Sequence, residues 1–122
     1  MHKKIVVVLG ASDKAERFSN KAIKKLKHYG HQVIPVHPRL KVIESLPVAH
    51  DLTAIAEDVD TLTLYVGPQR SKDLMGQIVA LRPKRVIFNP GTESFELERR
   101  LTEHDIAFVK ACTLIMLDAG EF

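Results

Sequence analysis

The chain has 122 residues, 45% apolar and 27% charged, with a formal net charge of +3. That composition excludes a mainly disordered chain, and the length suits one domain over residues 1–122 with no separate catalytic domain. The charge is too mild to argue for nucleic acid as a partner, and no apolar run nears the roughly 20 residues that cross a membrane.

The first predicted element is a strand over Lys4–Leu9. It follows a basic start, Met1-His2-Lys3-Lys4, but its apolar part is shorter than the roughly 7–15 residues of a signal core, and Gly10 ends it at once. Phe18, Ala22, Leu26 and Tyr29 then recur at helical spacing, with Lys21, Lys24, Lys25 and Lys27 mostly on the other side, and Gly30 closes this first helix. A second strand is expected at Gln32–Val36 and a third at Thr61–Val66. Leu74, Ile78 and Leu81 mark a helix that Pro83 ends. A fourth strand covers Arg85–Phe88. Leu97 and Leu101 mark another helix, with Glu93, Glu96 and Glu98 in its opening turns, where acids suit the helix dipole. The fifth strand is Ala107–Val109.

These strands are short, β-branched and nearly continuously apolar, as strands buried on both faces are. Alternation with helices predicts an α/β fold, a three-layer Rossmann-like doubly wound sheet of five parallel strands in the order 3-2-1-4-5. The lone cysteine, Cys112, has no partner in the chain for a disulfide, which fits a reducing, cytoplasmic setting.

In such a sheet ligands bind beyond the carboxyl ends of the strands, beside the first one. There the sequence reads Gly10-Ala11-Ser12-Asp13-Lys14. Small residues let backbone N–H groups approach an anion, a helix start adds partial positive charge, and Ser12, Lys14 and Arg17 add a hydroxyl and two cations. A phosphate-bearing nucleotide is the expected ligand, although G-x-G-x-x-G is absent. A site for NAD wants an acid after the second strand, whereas this chain has Val36-His37-Pro38-Arg39. His37 and Arg39 suit an extra phosphate on the ribose, as in NADP or coenzyme A.

The third strand leads into Gly67-Pro68-Gln69-Arg70-Ser71, where Ser71 is expected to cap a helix and Arg70 reads first as surface charge. The fourth leads into Asn89-Pro90-Gly91, a turn in which Gly91 is free to take a positive φ and from which Asn89 and Gly91 would face the same crevice. Cys112 reads first as a structural thiol and second as a crevice residue able to meet a thiol ligand. Catalysis finds little support. No histidine pair has metal-ligand spacing, and nothing joins Ser12, Asp13 and His37 into a triad.

Together, Gly10-Ala11-Ser12-Asp13-Lys14 with Arg17, Val36-His37-Pro38, Val66-Gly67-Pro68, Asn89-Pro90-Gly91 and Cys112, in that order, resemble the small stand-alone CoA-binding domain proteins. That family is related to the N-terminal domain of the succinyl-CoA synthetase α subunit, and the resemblance spans nearly the whole chain. It implies a Rossmann-like fold with coenzyme A, free or acylated, as the small-molecule ligand. Gly10, Ala11, Ser12 and Lys14 would meet the pyrophosphate, Val36–Pro38 the adenosine and Asn89–Gly91 the pantetheine. Two departures stand out: His37 in place of the usual Asn, and Asn89 in place of the commoner Gln. The resemblance implies a ligand and no reaction. The alternative is an NADP-linked or other nucleotide-dependent enzyme subunit that needs a partner chain. Sheet edges at the third and fifth strands leave room for a protein partner or a homodimer.

Overall fold

The computed structural model describes residues 2–122. In chain order its elements are β1 (Ile5–Leu9), α1 (Phe18–His28), β2 (Gln32–Val36), a small hairpin of β3 (Val42–Ile43) and β4 (Leu46–Pro47), a 3-10 turn at Leu52–Ala54, β5 (Thr61–Leu64), α2 (Pro68–Ser71), a 3-10 turn at Lys72–Leu74, α3 (Met75–Leu81), β6 (Arg85–Phe88), α4 (Phe95–Glu103), β7 (Ala107–Lys110) and α5 (Thr113–Asp118). The five main strands form one parallel sheet with neighbours in the order β2-β1-β5-β6-β7. It is the expected α/β Rossmann-like sheet.

With the short parallel bridge of Ala49 to Val36 counted as the third position, outside β2, the winding reads 3-2-1-4-5-6, the expected 3-2-1-4-5 order continued by one more strand. The Thr61–Leu64 strand, expected third, therefore takes the fourth place, directly beside β1. Only Ala49 is left on the outer edge of β2: its N–H donates to the Pro35 carbonyl, and its own carbonyl accepts from His37 N–H.

Burial follows from alternation along the strands, since successive side chains point to opposite faces. Val7, Leu9, Leu62, Leu64, Val86 and Phe88 meet α3, α4 and the Leu52 turn on one face. Val6, Val8 and Ile87 meet Ile23 and Leu26 of α1, Leu117 of α5 and Ile43 of the hairpin on the other. After β2 the chain packs the hairpin on the α1 side, rounds the β2 edge at Ala49, and returns on the α3 side. The first helix thus rises on one face and α3 on the other, which opens a cleft between their loops at the carboxyl end. At the opposite end Lys4 Nζ and Arg85 Nη2 donate to the Phe122 carbonyl oxygen at 2.5 and 2.8 Å, and both cations lie over its ring.

Local expectations fare unevenly. Ser94, not Glu93, starts α4: its hydroxyl accepts from Leu97 N–H at 3.2 Å, with Glu96 and Glu98 in the first turn. Glu93 instead accepts from Gly91 N–H at 2.9 Å. Ser71 does not cap a helix but ends α2, which Pro68 begins. Phe18, read as the first residue of a buried stripe, is 67% exposed, because it opens α1 at the cleft beyond the strands' carboxyl ends.

Candidate functional site

The β1–α1 loop is shaped by two tight approaches. Gly10 adopts φ +91°, and a Cβ there would lie 3.0 Å from the backbone C and O atoms of Tyr65. Only glycine lets the chain turn this close to the next strand. Ala11 N–H then donates to the Val36 carbonyl at 3.2 Å, carrying the tie to β2 one residue past the strand. Beyond it, Lys14 N–H donates to Ser12 Oγ at 3.1 Å and Arg17 N–H to the Lys14 carbonyl at 3.0 Å. Ser12 and Asp13 keep N–H groups with no acceptor among the described residues, and the Ser12 hydroxyl proton stays free. The loop is braced from behind by Asn20, wholly buried, whose amide donates to the Ser12 carbonyl at 2.9 Å and to Glu44 at 3.2 Å.

The helix starts at Phe18, where the apolar stripe begins, and its N-cap is Arg17, whose side chain caps nothing. No acid occupies the first turn. The first N–H groups of α1 and its partial positive charge are therefore unopposed.

A cleft of about 1060 Å³ runs across these strand ends. It gathers Gly10, Ala11, Ser12, Lys14 and Arg17 from the first loop, Val36, His37, Pro38 and Arg39 from the second, Gly67 from the third, and Pro90 and Gly91 from the fourth. Four permanent cations line it, Lys14, Arg17, Arg39 and Arg70, against two carboxylates, Asp13 and Asp51. Asp51 is committed elsewhere: it accepts from Thr53 N–H and from the Thr53 hydroxyl, and the latter bond holds its carboxyl below the usual range. Arg70, read first as surface charge, is part of the cleft wall.

His37 has a defined role in its own loop. Its Nδ1 accepts from Arg39 N–H at 3.0 Å and Leu40 N–H at 2.9 Å, which puts the proton of the neutral ring on Nε2. An asparagine carboxamide oxygen would accept the same two bonds. The substitution that departs from the usual Val-Asn-Pro keeps the turn and adds an outward N–H donor.

Two residues expected at the site do not line the cleft: Pro68 sits at the first position of α2, and Asn89 turns inward. Asn89 is buried, with Nδ2 donating to Thr63 Oγ1 at 2.7 Å and to the Leu64 carbonyl at 2.9 Å, and Oδ1 accepting from Thr113 N–H at 2.9 Å. Its amide joins β5, β6 and α5, so no group remains for a ligand. Gly91 does take the positive φ expected of it, +89°, and the turn exposes Pro90 and Gly91 to the cleft. Cys112 is half-buried at the start of α5, outside the cleft lining.

Sequence reasoning missed the wall formed by Leu52, Tyr65 and Leu74, with the amide of Gln77 beside them. Only the position of Tyr65 and Val66 at a strand's carboxyl end could have signalled part of it. Burial pushes the Tyr65 phenol up to about 12, with the nearby Thr113 and Thr63 hydroxyls partly offsetting it. The unfolded phenol ionises near 10, so the folded state holds the proton over a higher range. The Tyr65 contribution to stability is thus complete below pH 10 and is lost as pH rises from 10 to about 12. In alkaline denaturation followed by phenolate absorbance, Tyr65→Phe should flatten this part of the stability profile; an unchanged profile would refute the assignment. Among the described residues, no group of three or more His, Cys, Asp or Glu is placed to hold a metal.

The family model described as CoA binding domain matches residues 4–118. A solved structure of an uncharacterized protein is 42% identical over all of both chains, with a TM-score of 0.94. A protein from Thermus thermophilus is 28% identical, covering 98% of this chain and 91% of its own, with a TM-score of 0.90. The dinucleotide-forming acetyl-coenzyme A synthetase 1 of Ca. Korarchaeum cryptofilum, solved with phosphate and ADP, is 18% identical, with a TM-score of 0.76 over 88% of this chain and 25% of that one, a likeness of fold alone. No curated protein matches the chain.

Proposed function

The chain belongs to the CoA binding domain family, and on that premise we propose that it binds coenzyme A or an acyl-CoA across the first-loop cleft, without catalysis of its own. The observation that carries this reading is one cleft with two separate anion-receptive ends. At one, the free Ser12 and Asp13 N–H groups, the uncapped α1 start and the Lys14 and Arg17 cations suit a pyrophosphate. At the other, His37 Nε2–H and the Arg39 guanidinium suit a phosphate on the ribose. Pro90 and Gly91 would face the pantetheine, and Gly67 would flank the ligand from the loop between β5 and α2.

The binding-only part rests on how the polar groups are already engaged. Ser12 Oγ and His37 Nδ1 each accept backbone N–H donors of their own loop, so neither is arranged as nucleophile or base for the other.

Calorimetric titration with CoA, dephospho-CoA, NAD and NADP tests the reading. CoA should bind most tightly, and Arg39→Ala should weaken CoA about five- to tenfold while leaving dephospho-CoA unchanged. Tighter binding of NAD than of CoA would overturn the proposal.

A further inference from the structure

A second hollow, of about 790 Å³, lies along the outer edge of β2. It straddles the sheet: Leu46 and Val48 wall it on the α1 side, Ile55 walls it on the α3 side, and Val33 and Ile34 lie between. The hollow exists because the chain leaves the third sheet position almost at once. Ala49 bridges to Val36, and the residues before it turn away into the β3–β4 hairpin. Gln32 N–H donates to the Lys4 carbonyl and the Val36 carbonyl accepts from Ala11 N–H, so Gln32, Ile34 and Val36 face β1. Val33, Pro35 and His37 therefore face outward. Ala49 takes the Pro35 carbonyl and His37 N–H. The N–H and C=O of Val33 have no partner among the described residues, although Val33 is only 5% exposed. Buried backbone groups in folded proteins are nearly always paired, so this residue lacks a neighbour.

We propose that the hollow takes a short extended segment of a partner protein, acidic at its leading end, which adds to β2 as the strand this chain does not supply. A free donor and a free acceptor on one strand residue match another extended backbone, which brings both at the right spacing. Walls on both faces suit a lone strand. A second copy of this chain would bring its own β2 edge recessed between the same walls, so two such edges do not meet. Ala49 closes the carboxyl end of the hollow and Pro35 offers no N–H, which confines pairing to the stretch beside Gln32–Ile34. The segment runs parallel to β2, as every other strand of this sheet does. Its leading end then lies by Lys3 and Lys27, which flank the amino end of β2 against one carboxylate in the lining, Glu57. Lys27 Nζ is held there by the Glu44 carbonyl at 2.7 Å. Two cations at that end select an acid. The proposal does not depend on the ligand in the cleft.

The probe is a fluorescein-labelled peptide of two glutamates followed by alternating valine and threonine, titrated with the full chain and followed by polarisation. It should bind saturably. Two further peptides carry N-methyl groups on alternate amides, one on the valines and one on the threonines. Only one alternate set faces β2, so one peptide should lose about tenfold in affinity and the other should bind as before. Lys3→Glu with Lys27→Glu should weaken the parent peptide about fivefold. Hydrogen exchange supplies a readout that needs no variant. The Val33 amide should exchange faster than those of Gln32 and Ile34 in the free protein and become protected when the peptide is added. Absence of saturable binding, or equal effects of the two methylated peptides, would overturn the proposal. Protection of the Val33 amide that grows with protein concentration alone would overturn it in favour of a second copy of the chain.

Discussion

Gly10→Ala is expected to lower stability by about 3 kcal/mol in urea denaturation, more than alanine at any other glycine with a positive φ. Two costs combine. At φ +91° a Cβ crowds its own backbone, at about 1–2 kcal/mol. The same atom would stand 2.8 Å from Val66 Cγ1 and 3.0 Å from the Tyr65 backbone, and overpacking of this kind adds about 1–3 kcal/mol. Gly91 is the control: its φ is +89°, but a Cβ there meets nothing within 4 Å. Gly91→Ala should cost only the dihedral part, about 1 kcal/mol. If the two variants lose the same stability, the close approach of β1 to Tyr65 is wrong. Surviving Gly10→Ala protein should also bind CoA poorly, because relief of the clash moves the Ser12 and Asp13 N–H groups.

The second large effect is at Asn89. Removing its amide in Asn89→Ala leaves the Leu64 carbonyl and the Thr113 N–H without their partner in the interior and deprives Thr63 Oγ1 of a donor. With about 1–3 kcal/mol for each buried group left unpaired, and some relaxation, the expected loss is about 3–4 kcal/mol. Asn89→Asp keeps the acceptor for Thr113 but sets a carboxylate against the Leu64 carbonyl, and should be no better. A ligand contact would behave differently: truncation would weaken CoA binding and spare the thermal midpoint. That outcome would refute the bracing role.

The main strands and the three longer helices were legible because their patterns run long enough to show a period. The hairpin at Val42–Pro47, the Leu52 turn and α5 were not, since two- to six-residue elements carry no period and are held by packing alone. The place of the Thr61–Leu64 strand failed for a related reason: one bridging residue, Ala49, occupies a sheet position that no sequence pattern marks. At the site, loop chemistry was readable wherever backbone geometry dictates residue type, as at Gly10 and Gly91. It misled at Asn89, because a polar residue in a turn reads alike whether its amide points to solvent or into the sheet. It also passed over Leu74 and Gln77, which lie far along the chain from the first loop and enter the cleft only through the packing of α3 on the Leu52 turn.

The bare start of α1 has a consequence for the energetics of the empty protein. A serine or aspartate at position 17 would contribute about 1 kcal/mol that Arg17 forgoes. The chain thus keeps a small deficit at a helix end that faces the cleft, while Ser94 caps α4 elsewhere. An anion seated against those N–H groups, as proposed above, would repair the deficit from outside. On the proposed reading, occupancy and rigidity would become a single variable, and the firmness of the first turn of α1 would report whether the cleft is loaded.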